Sequence, residues 1–271
     1  MSVPQIKATR LADAGPAAPV VIAGPSLGTS AAALWSRAAA GMAGFTVIGW
    51  DLPGHGAAPA AAEGFTMAEL ADAVAGFVRA AREAGDIAAD VPLHYAGVSI
   101  GGATGLQLGV DHPGLFDSLA IICSGAKIGE PEAWRERAAT VSGQGTPAVL
   151  VGSAQRWFAP GFIEREPEAS ARLLHSLQDA DRFSYAFCCE ALADYDVRER
   201  LPQITVPVLA LAGAEDQATP PSSSSFIADG VADGRAVVVA DAAHLVPAEK
   251  PAEAARLLTD FFTATEGTAR P

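Results

Sequence analysis

The chain has 271 residues, half of them hydrophobic, and its 18 basic and 31 acidic residues give a formal charge of −13 at pH 7. The hydrophobic content is enough to build the core of one large α/β domain, which excludes a disordered chain. The negative charge repels nucleic acid and anionic membrane surfaces, so neither is expected as a partner.

The amino-terminal residues predict a cytoplasmic protein. Lys7, Arg10 and Asp13 interrupt the short apolar stretches at this end, so a secretory signal is not expected. Later apolar runs are too short to cross a bilayer. The three cysteines, an odd number without Cys-x-x-Cys spacing, indicate buried free thiols rather than disulfides or a zinc site.

Short apolar runs rich in β-forming residues alternate along the chain with segments of helical periodicity. Strands are predicted at residues 19–23, 45–50, 93–97, 118–123, 207–212 and 235–240. Helices are predicted at residues 30–42, 66–83, 100–111, 221–231 and 248–262. This alternation predicts an α/β fold, with a mostly parallel sheet flanked by helices on both faces.

The pattern changes between residues 127 and 201. Strand-like runs disappear there, and aromatic residues concentrate in segments of helical periodicity. We interpret residues 127–201 as an all-helical cap, inserted before the penultimate strand. Residues 1–126 and 202–271 would then form the core that the cap covers.

The motif Gly97-Val98-Ser99-Ile100-Gly101 stands where a predicted strand ends and a predicted helix begins. A sharp strand-to-helix turn crowds the backbone of its central residue, so the residues two positions before and after it must be small. The glycines meet this requirement. The motif therefore predicts a nucleophile elbow with Ser99 as the nucleophile.

A serine nucleophile needs a base within hydrogen-bond reach and an acid that orients the base. In α/β-hydrolases the three residues follow the chain order serine, acid, histidine. Asp216 follows the penultimate predicted strand, and His244 follows the last. We therefore predict a triad of Ser99, His244 and Asp216, with Glu215 as the alternative acid.

A tetrahedral intermediate also needs two backbone N–H donors directed at its oxyanion. Ile100, the residue after the nucleophile, is expected to supply one of them. The loop after the first predicted strand, residues 24–29, is expected to supply the other, and Leu27 is the candidate within it.

Longer motifs surround these predicted catalytic residues. They are GPSLGTS at 24–30, WDLPGHG at 50–56, YAGVSIGG at 95–102, AKIGEPEAW at 126–134, RWF at 156–158, YAFCCEAL at 185–192, DQATPP at 216–221 and DAAHL at 241–245. Together they resemble the β-ketoadipate (3-oxoadipate) enol-lactonases of the α/β-hydrolase superfamily. The cap motifs are the specific part of this resemblance, because many unrelated activities share the elbow and the triad.

The resemblance implies an α/β-hydrolase fold and the opening of an enol-lactone ring in the breakdown of protocatechuate and catechol. Ser99, deprotonated by His244, would attack the lactone carbonyl, and ring opening would expel an enolate, a weaker base than an alkoxide. Water activated by the same histidine would then release β-ketoadipate. These steps require no metal and no organic cofactor.

The implied substrate is a small anionic lactone, and a protein of charge −13 offers its carboxylate no favourable long-range field. A local cation is therefore expected to hold the carboxylate. Lys127 is the first candidate, with Arg135 and Arg156 as the alternatives. Trp134 is expected to line the wall that receives the ring.

Other activities are compatible with the same triad. A general carboxylesterase or a C–C bond hydrolase would differ in the cap alone, and an acyl transferase would use an acceptor other than water. A non-catalytic ligand receptor is a further alternative, disfavoured by the complete triad and oxyanion loop. No oligomeric state is predicted.

Overall fold

The computed structural model describes residues 3–266 and arranges their seven strands in one sheet of order β1-β3-β2-β4-β5-β6-β7. The strands are β1 Lys7–Ala12, β2 Val20–Gly24, β3 Thr46–Asp51, β4 Leu93–Val98, β5 Ser118–Ile122, β6 Val208–Gly213 and β7 Gly234–Val239. β1 pairs with β3 in antiparallel fashion, and every other pairing is parallel. The predicted mostly parallel sheet is confirmed.

Eleven α-helices lie within residues 3–266. They are α1 Ala31–Gly41, α2 Met67–Ala84, α3 Ile100–Asp111, α4 Pro131–Gln144, α5 Leu150–Trp157, α6 Phe162–Arg165, α7 Pro167–Asp179, α8 Arg182–Ala193, α9 Pro221–Gly230, α10 Val246–Glu249 and α11 Pro251–Glu266. Around the sheet, α1 packs against α11, α2 packs against α3, and α9 packs against β6 and β7. None of these helices combines the length and hydrophobicity that a bilayer-spanning segment requires.

Side-chain caps explain where the first two helices begin. The hydroxyl of Ser30 accepts a hydrogen bond from the N–H of Ala33 at 3.2 Å and so starts α1. Thr66 and Glu69 form a capping box at the start of α2, in which each side chain accepts from the other's backbone N–H. Gly85, with a φ of 80°, ends α2 in the left-handed conformation.

Two features differ from the sequence-based prediction. β1 was not predicted, because its residues are mixed in polarity and none of them is buried at the edge of the sheet. The helix predicted at 248–262 is present from residue 251 onward, but it is not continuous with residues 248 and 249. The structure forms α10 and α11 instead, and the break falls at Lys250 because the proline that follows disfavours helical backbone in the residue before it.

Between β5 and β6, where the cap is predicted, the structure contains α4 to α8 and two short 3₁₀ helices, Thr146–Val149 and Arg198–Gln203. α4 packs against α8, and α7 contacts both α5 and the core helix α1. The boundaries at residues 127 and 201 stay a prediction. These helices follow the carboxyl end of β5, on the same side of the sheet as the predicted catalytic loops.

Every residue of β2, β3, β4, β5 and β6 is buried. Strands covered on both faces have no solvent-facing side. Their sequences are therefore continuous apolar runs and do not alternate between apolar and polar residues. Because the carboxyl ends of parallel strands meet at one edge of a sheet, the loops after β2, β4, β6 and β7 converge there.

Candidate active site

Ser99 lies between β4 and α3 with a φ of 55° and a ψ of −116°. A non-glycine residue with this backbone is strained, at a cost of about 1–3 kcal/mol. A Cβ added to Gly97 would overlap the backbone of Gly101, and a Cβ on Gly101 would lie 2.5 Å from the carbonyl oxygen of Pro25. These close approaches explain why glycine stands on both sides of the serine.

Hydrogen bonds hold this strained turn in place. The N–H of Ser99 donates to the carbonyl of Ile122 at 2.9 Å. The hydroxyl of Ser124 donates to the carbonyl of Ser99 at 2.7 Å, and the hydroxyl of Tyr95 donates to the carbonyl of Gly101 at 2.7 Å. The end of β5 therefore supports the elbow directly.

His244 and Asp216 are hydrogen-bonded, with 2.9 Å between Nδ1 and Oδ2. Because an ionised carboxylate can only accept, Nδ1 donates the proton, and the opposite nitrogen, Nε2, is left free to act as a base. Glu215 is exposed. The structure thus selects Asp216 over Glu215 as the partner of the histidine.

Asp216 accepts three further hydrogen bonds. They come from the N–H groups of Ala218 and Thr219, at 2.8 and 3.1 Å, and from the hydroxyl of Thr219 at 2.7 Å. Burial raises the pKa of Asp216, but the charge and hydrogen bond of His244 and the bonds from Thr219 outweigh it and hold the pKa below its usual value. The carboxylate therefore stays ionised beside the imidazole.

Ser99 and His244 face one cavity of about 320 Å³, which Leu27 and Ala218 also line. A larger hollow of about 500 Å³ lies at the opposite, amino edge of the sheet, between residues such as Pro92 and Pro207. It contains none of the predicted site residues. The smaller cavity therefore brings Ser99 and His244 together.

Thr29 folds back the loop between β2 and α1. Its hydroxyl donates to the carbonyl of Ser26 at 2.9 Å and accepts from the N–H of Ser26 at 3.1 Å, and Gly28 takes a φ of 86°. Leu27 lies within this turn and lines the cavity. Ile100 is the first residue of α3, where backbone N–H groups have no partner within the helix. The assignment of Leu27 and Ile100 as oxyanion donors stays a prediction.

Comparison with known proteins places this site in a family. A family model described as "Serine aminopeptidase, S33" matches residues 38–251. The 3-oxoadipate enol-lactonase 2 of Acinetobacter baylyi is 34% identical over 86% of this chain and 84% of its own. The crystal structure of the enol-lactonase from Burkholderia xenovorans LB400 superimposes with a TM-score of 0.87 at 30% identity, covering 95% of this chain and 96% of that one. The chain belongs to the 3-oxoadipate enol-lactonase family of α/β-hydrolases.

An ester hydrolase is also among the relatives of this enol-lactonase family member. The pimeloyl-[acyl-carrier protein] methyl ester esterase of Neisseria meningitidis serogroup C is 32% identical over 78% of this chain and 80% of its own. The comparisons support a hydrolase of the α/β-hydrolase superfamily.

The three cationic side chains predicted to bind the substrate differ in whether they line the cavity. Lys127 pairs with Glu130 at 2.9 Å, and the exposed Arg135 pairs with Asp194 at 2.8 Å. Neither Lys127 nor Arg135 lines the cavity, whereas Arg156 does. Of the three, Arg156 alone therefore lines the cavity that Ser99 also lines.

Arg137 also lines the cavity, and the sequence analysis missed it. Its guanidinium donates to the hydroxyl of Tyr185 at 2.6 and 2.9 Å and to that of Ser153 at 2.9 Å. Trp134 lies three residues earlier in α4 and lines the same cavity, and its contact with a substrate ring stays a prediction. Residues three apart share a helix face, and this spacing was the signal that could have identified Arg137.

Arg137 and Arg156 place two positive charges against the cavity. Burial lowers the pKa of Arg156, and the charge of Arg137 lowers it further, although a guanidinium stays protonated at any physiological pH. Within residues 3–266, no ion pair joins either side chain to a carboxylate. Glu130 also lines the cavity, but its carboxylate pairs with Lys127 at 2.9 Å. The two guanidinium groups therefore leave the lining suitable for an anion.

The remaining histidines and the cysteines lie outside the catalytic geometry. Burial lowers the pKa of His55 and of His94 to about 4, so both are neutral at pH 7. The Nδ1–H of His55 donates to the carbonyl of Pro53 at 2.9 Å, and the ring stacks on Tyr185. All three cysteines are free and buried, as predicted.

Thr219 provides a test of how Asp216 is held. Thr219→Val removes the hydroxyl that donates to the carboxylate, and a hydrogen bond to a charged group contributes about 1.5–3 kcal/mol. We expect kcat/KM for p-nitrophenyl acetate to fall about tenfold or more. Thr219→Ser keeps the hydroxyl and should stay close to wild type. Equal rates for the valine and serine variants would contradict this role.

Proposed function

We propose that the protein hydrolyses 3-oxoadipate enol-lactone with Ser99 as nucleophile, His244 as base and Asp216 as the group that orients the base. The observation that carries the proposal is the hydrogen bond from His244 to Asp216 at the cavity that Ser99 also lines. The enol-lactonase relatives supply the substrate class. The reaction would belong to protocatechuate and catechol breakdown in the cytoplasm.

The first half of the reaction forms an acyl-enzyme. His244 Nε2 takes the proton of the Ser99 hydroxyl as its oxygen bonds to the lactone carbonyl carbon. The N–H groups of Leu27 and Ile100 stabilise the oxyanion of the tetrahedral intermediate. Collapse of this intermediate breaks the bond between the acyl carbon and the ring oxygen, which leaves as an enolate.

The second half releases the product. The imidazolium of His244 returns its proton to the departing enolate, which tautomerises to the ketone. Because the lactone is cyclic, the ketone stays attached to the acyl group on Ser99. Water deprotonated by His244 then attacks this ester, and its collapse releases β-ketoadipate and restores the serine hydroxyl. No step needs a metal or an organic cofactor.

The substrate carboxylate would be held by Arg156 and Arg137. Both guanidinium groups line the cavity, and within residues 3–266 neither forms an ion pair. Lys127 and Arg135 do not line it and pair instead with Glu130 and Asp194. Fixed cations close to the nucleophile compensate for the net charge of −13, which repels an anionic substrate at long range.

The proposal predicts strong preference for the lactone. The rate of ultraviolet absorbance loss on freshly generated enol-lactone should exceed the hydrolysis rate of p-nitrophenyl acetate, and Ser99→Ala should lower both by about 10³-fold or more. Ester activity without lactone activity would support the alternative of a carboxylesterase, which the methyl ester esterase relative favours.

Binding of the carboxylate is tested by neutral variants of the two arginines. Arg137→Gln and Arg156→Gln should each raise KM for the anionic lactone about tenfold, since a charge-assisted hydrogen bond contributes about 1.5–3 kcal/mol. KM for neutral p-nitrophenyl acetate should change little.

Arg135→Gln is the matched control, because Arg135 lies in the same helix but pairs with Asp194 at the surface. This variant should keep wild-type KM for both substrates. If Arg135→Gln raised KM for the lactone and the other two variants did not, the assignment of the carboxylate site would be refuted.

A further inference from the structure

Glu249, the last residue of α10, has a buried carboxylate that accepts three backbone hydrogen bonds. Its Oε1 accepts from the N–H of Ala243 at 2.9 Å and from the N–H of Leu245 at 3.3 Å. Its Oε2 accepts from the N–H of Ala159 at 2.7 Å. The first two donors flank His244 on either side, and the third follows α5, in the segment predicted to be the cap.

A second bond joins the same two segments. The N–H of His244 donates to the carbonyl of Trp157 at 3.2 Å. The indole of Trp157 also reaches the oxyanion loop, since a Cβ added to Gly28 would lie 3.3 Å from its ring. Residues 157–159 therefore contact both the histidine loop and the loop that holds Leu27.

Ion pairing does not explain why the carboxylate of Glu249 is buried. No lysine or arginine within residues 3–266 forms an ion pair with it. Its burial is unfavourable, and the three N–H groups compensate for part of that cost. An apolar residue here would leave those three buried donors unpaired, so the side chain is suited to joining two backbone segments.

We propose that Glu249 is a positioning residue that fixes the His244 loop to residues 157–159. The carboxylate sets the backbone on both sides of the histidine, and it keeps this part of the cap on the core throughout turnover. Any cap movement that admits substrate must then leave residues 157–159 in place. The inference rests on the proposed role of His244 as the base.

Two variants of Glu249 separate positioning from simple stabilisation. Glu249→Gln keeps the volume but turns one acceptor oxygen into an NH₂ donor, so one of the two backbone connections is lost. Glu249→Ala removes both. The matched control is Glu166→Gln, which breaks the ion pair between Glu166 and Arg37 of α1 at 2.9 Å. That pair also links the cap segment to the core, but it is remote from the histidine loop.

For p-nitrophenyl acetate, measured where melting curves show each variant folded, Glu249→Gln should lower kcat about 10- to 100-fold with KM within about twofold. The rate at which a fluorophosphonate labels Ser99 should fall in parallel. Glu166→Gln should keep wild-type kcat. Variants of Glu249 that melt earlier yet keep wild-type kcat and labelling would overturn the proposal.

Amide hydrogen exchange of the wild type tests the fixed cap segment without any substitution. We expect the N–H of Ala159 to exchange as slowly as those of the core strands, and to exchange much faster in Glu249→Gln. Fast exchange of Ala159 in the wild type would overturn the proposal.

If His244→Ala kept full activity, the proposed function itself would fail. An inactive His244→Ala beside a fully active Glu249→Gln would refute the role of Glu249 alone.

Discussion

The contact between the backbones of Gly97 and Gly101 is the constraint on which the site depends. It lets the chain turn from β4 into α3 within one residue, and Ser99 at that residue takes a strained backbone with a φ of 55°. Because β4 lies at the centre of the sheet, the turn places the serine where the loops after β2, β6 and β7 converge. The fully buried strands supply the rigidity that maintains this strain.

Two buried carboxylates beside His244 are used in different ways. Asp216 accepts from the imidazole itself, and the surrounding hydrogen bonds hold its pKa below the usual value. Glu249 accepts from backbone N–H groups instead, and burial raises its pKa despite them. The first fixes the tautomer of the ring, and the second fixes the loop that carries it. Arg137 and Arg156 line the same cavity as His244 and bring positive charge to it in an acidic protein.

The features that could be predicted from the sequence are those with local signals. The glycines around Ser99, and an acid and a histidine placed after strand-like runs, identify the elbow and the two partners. The edge strand β1 has no such signal, because its exposed residues lack an apolar pattern. Arg137 could be inferred only from its helix face. Glu249 could not be found, since its partner Ala159 is 90 residues away and donates through its backbone, which has no sequence signature.

Rapid-quench mass spectrometry of the intact protein during its first turnover of enol-lactone tests the central claim, attack by Ser99, most directly. Lactone opening keeps the leaving oxygen within the molecule, so the account predicts an adduct equal to the whole mass of the substrate, on the peptide that contains Ser99. A simple ester would instead leave only its acyl group. An adduct of that mass on a peptide that lacks Ser99 would contradict the account, because another residue would then be the nucleophile.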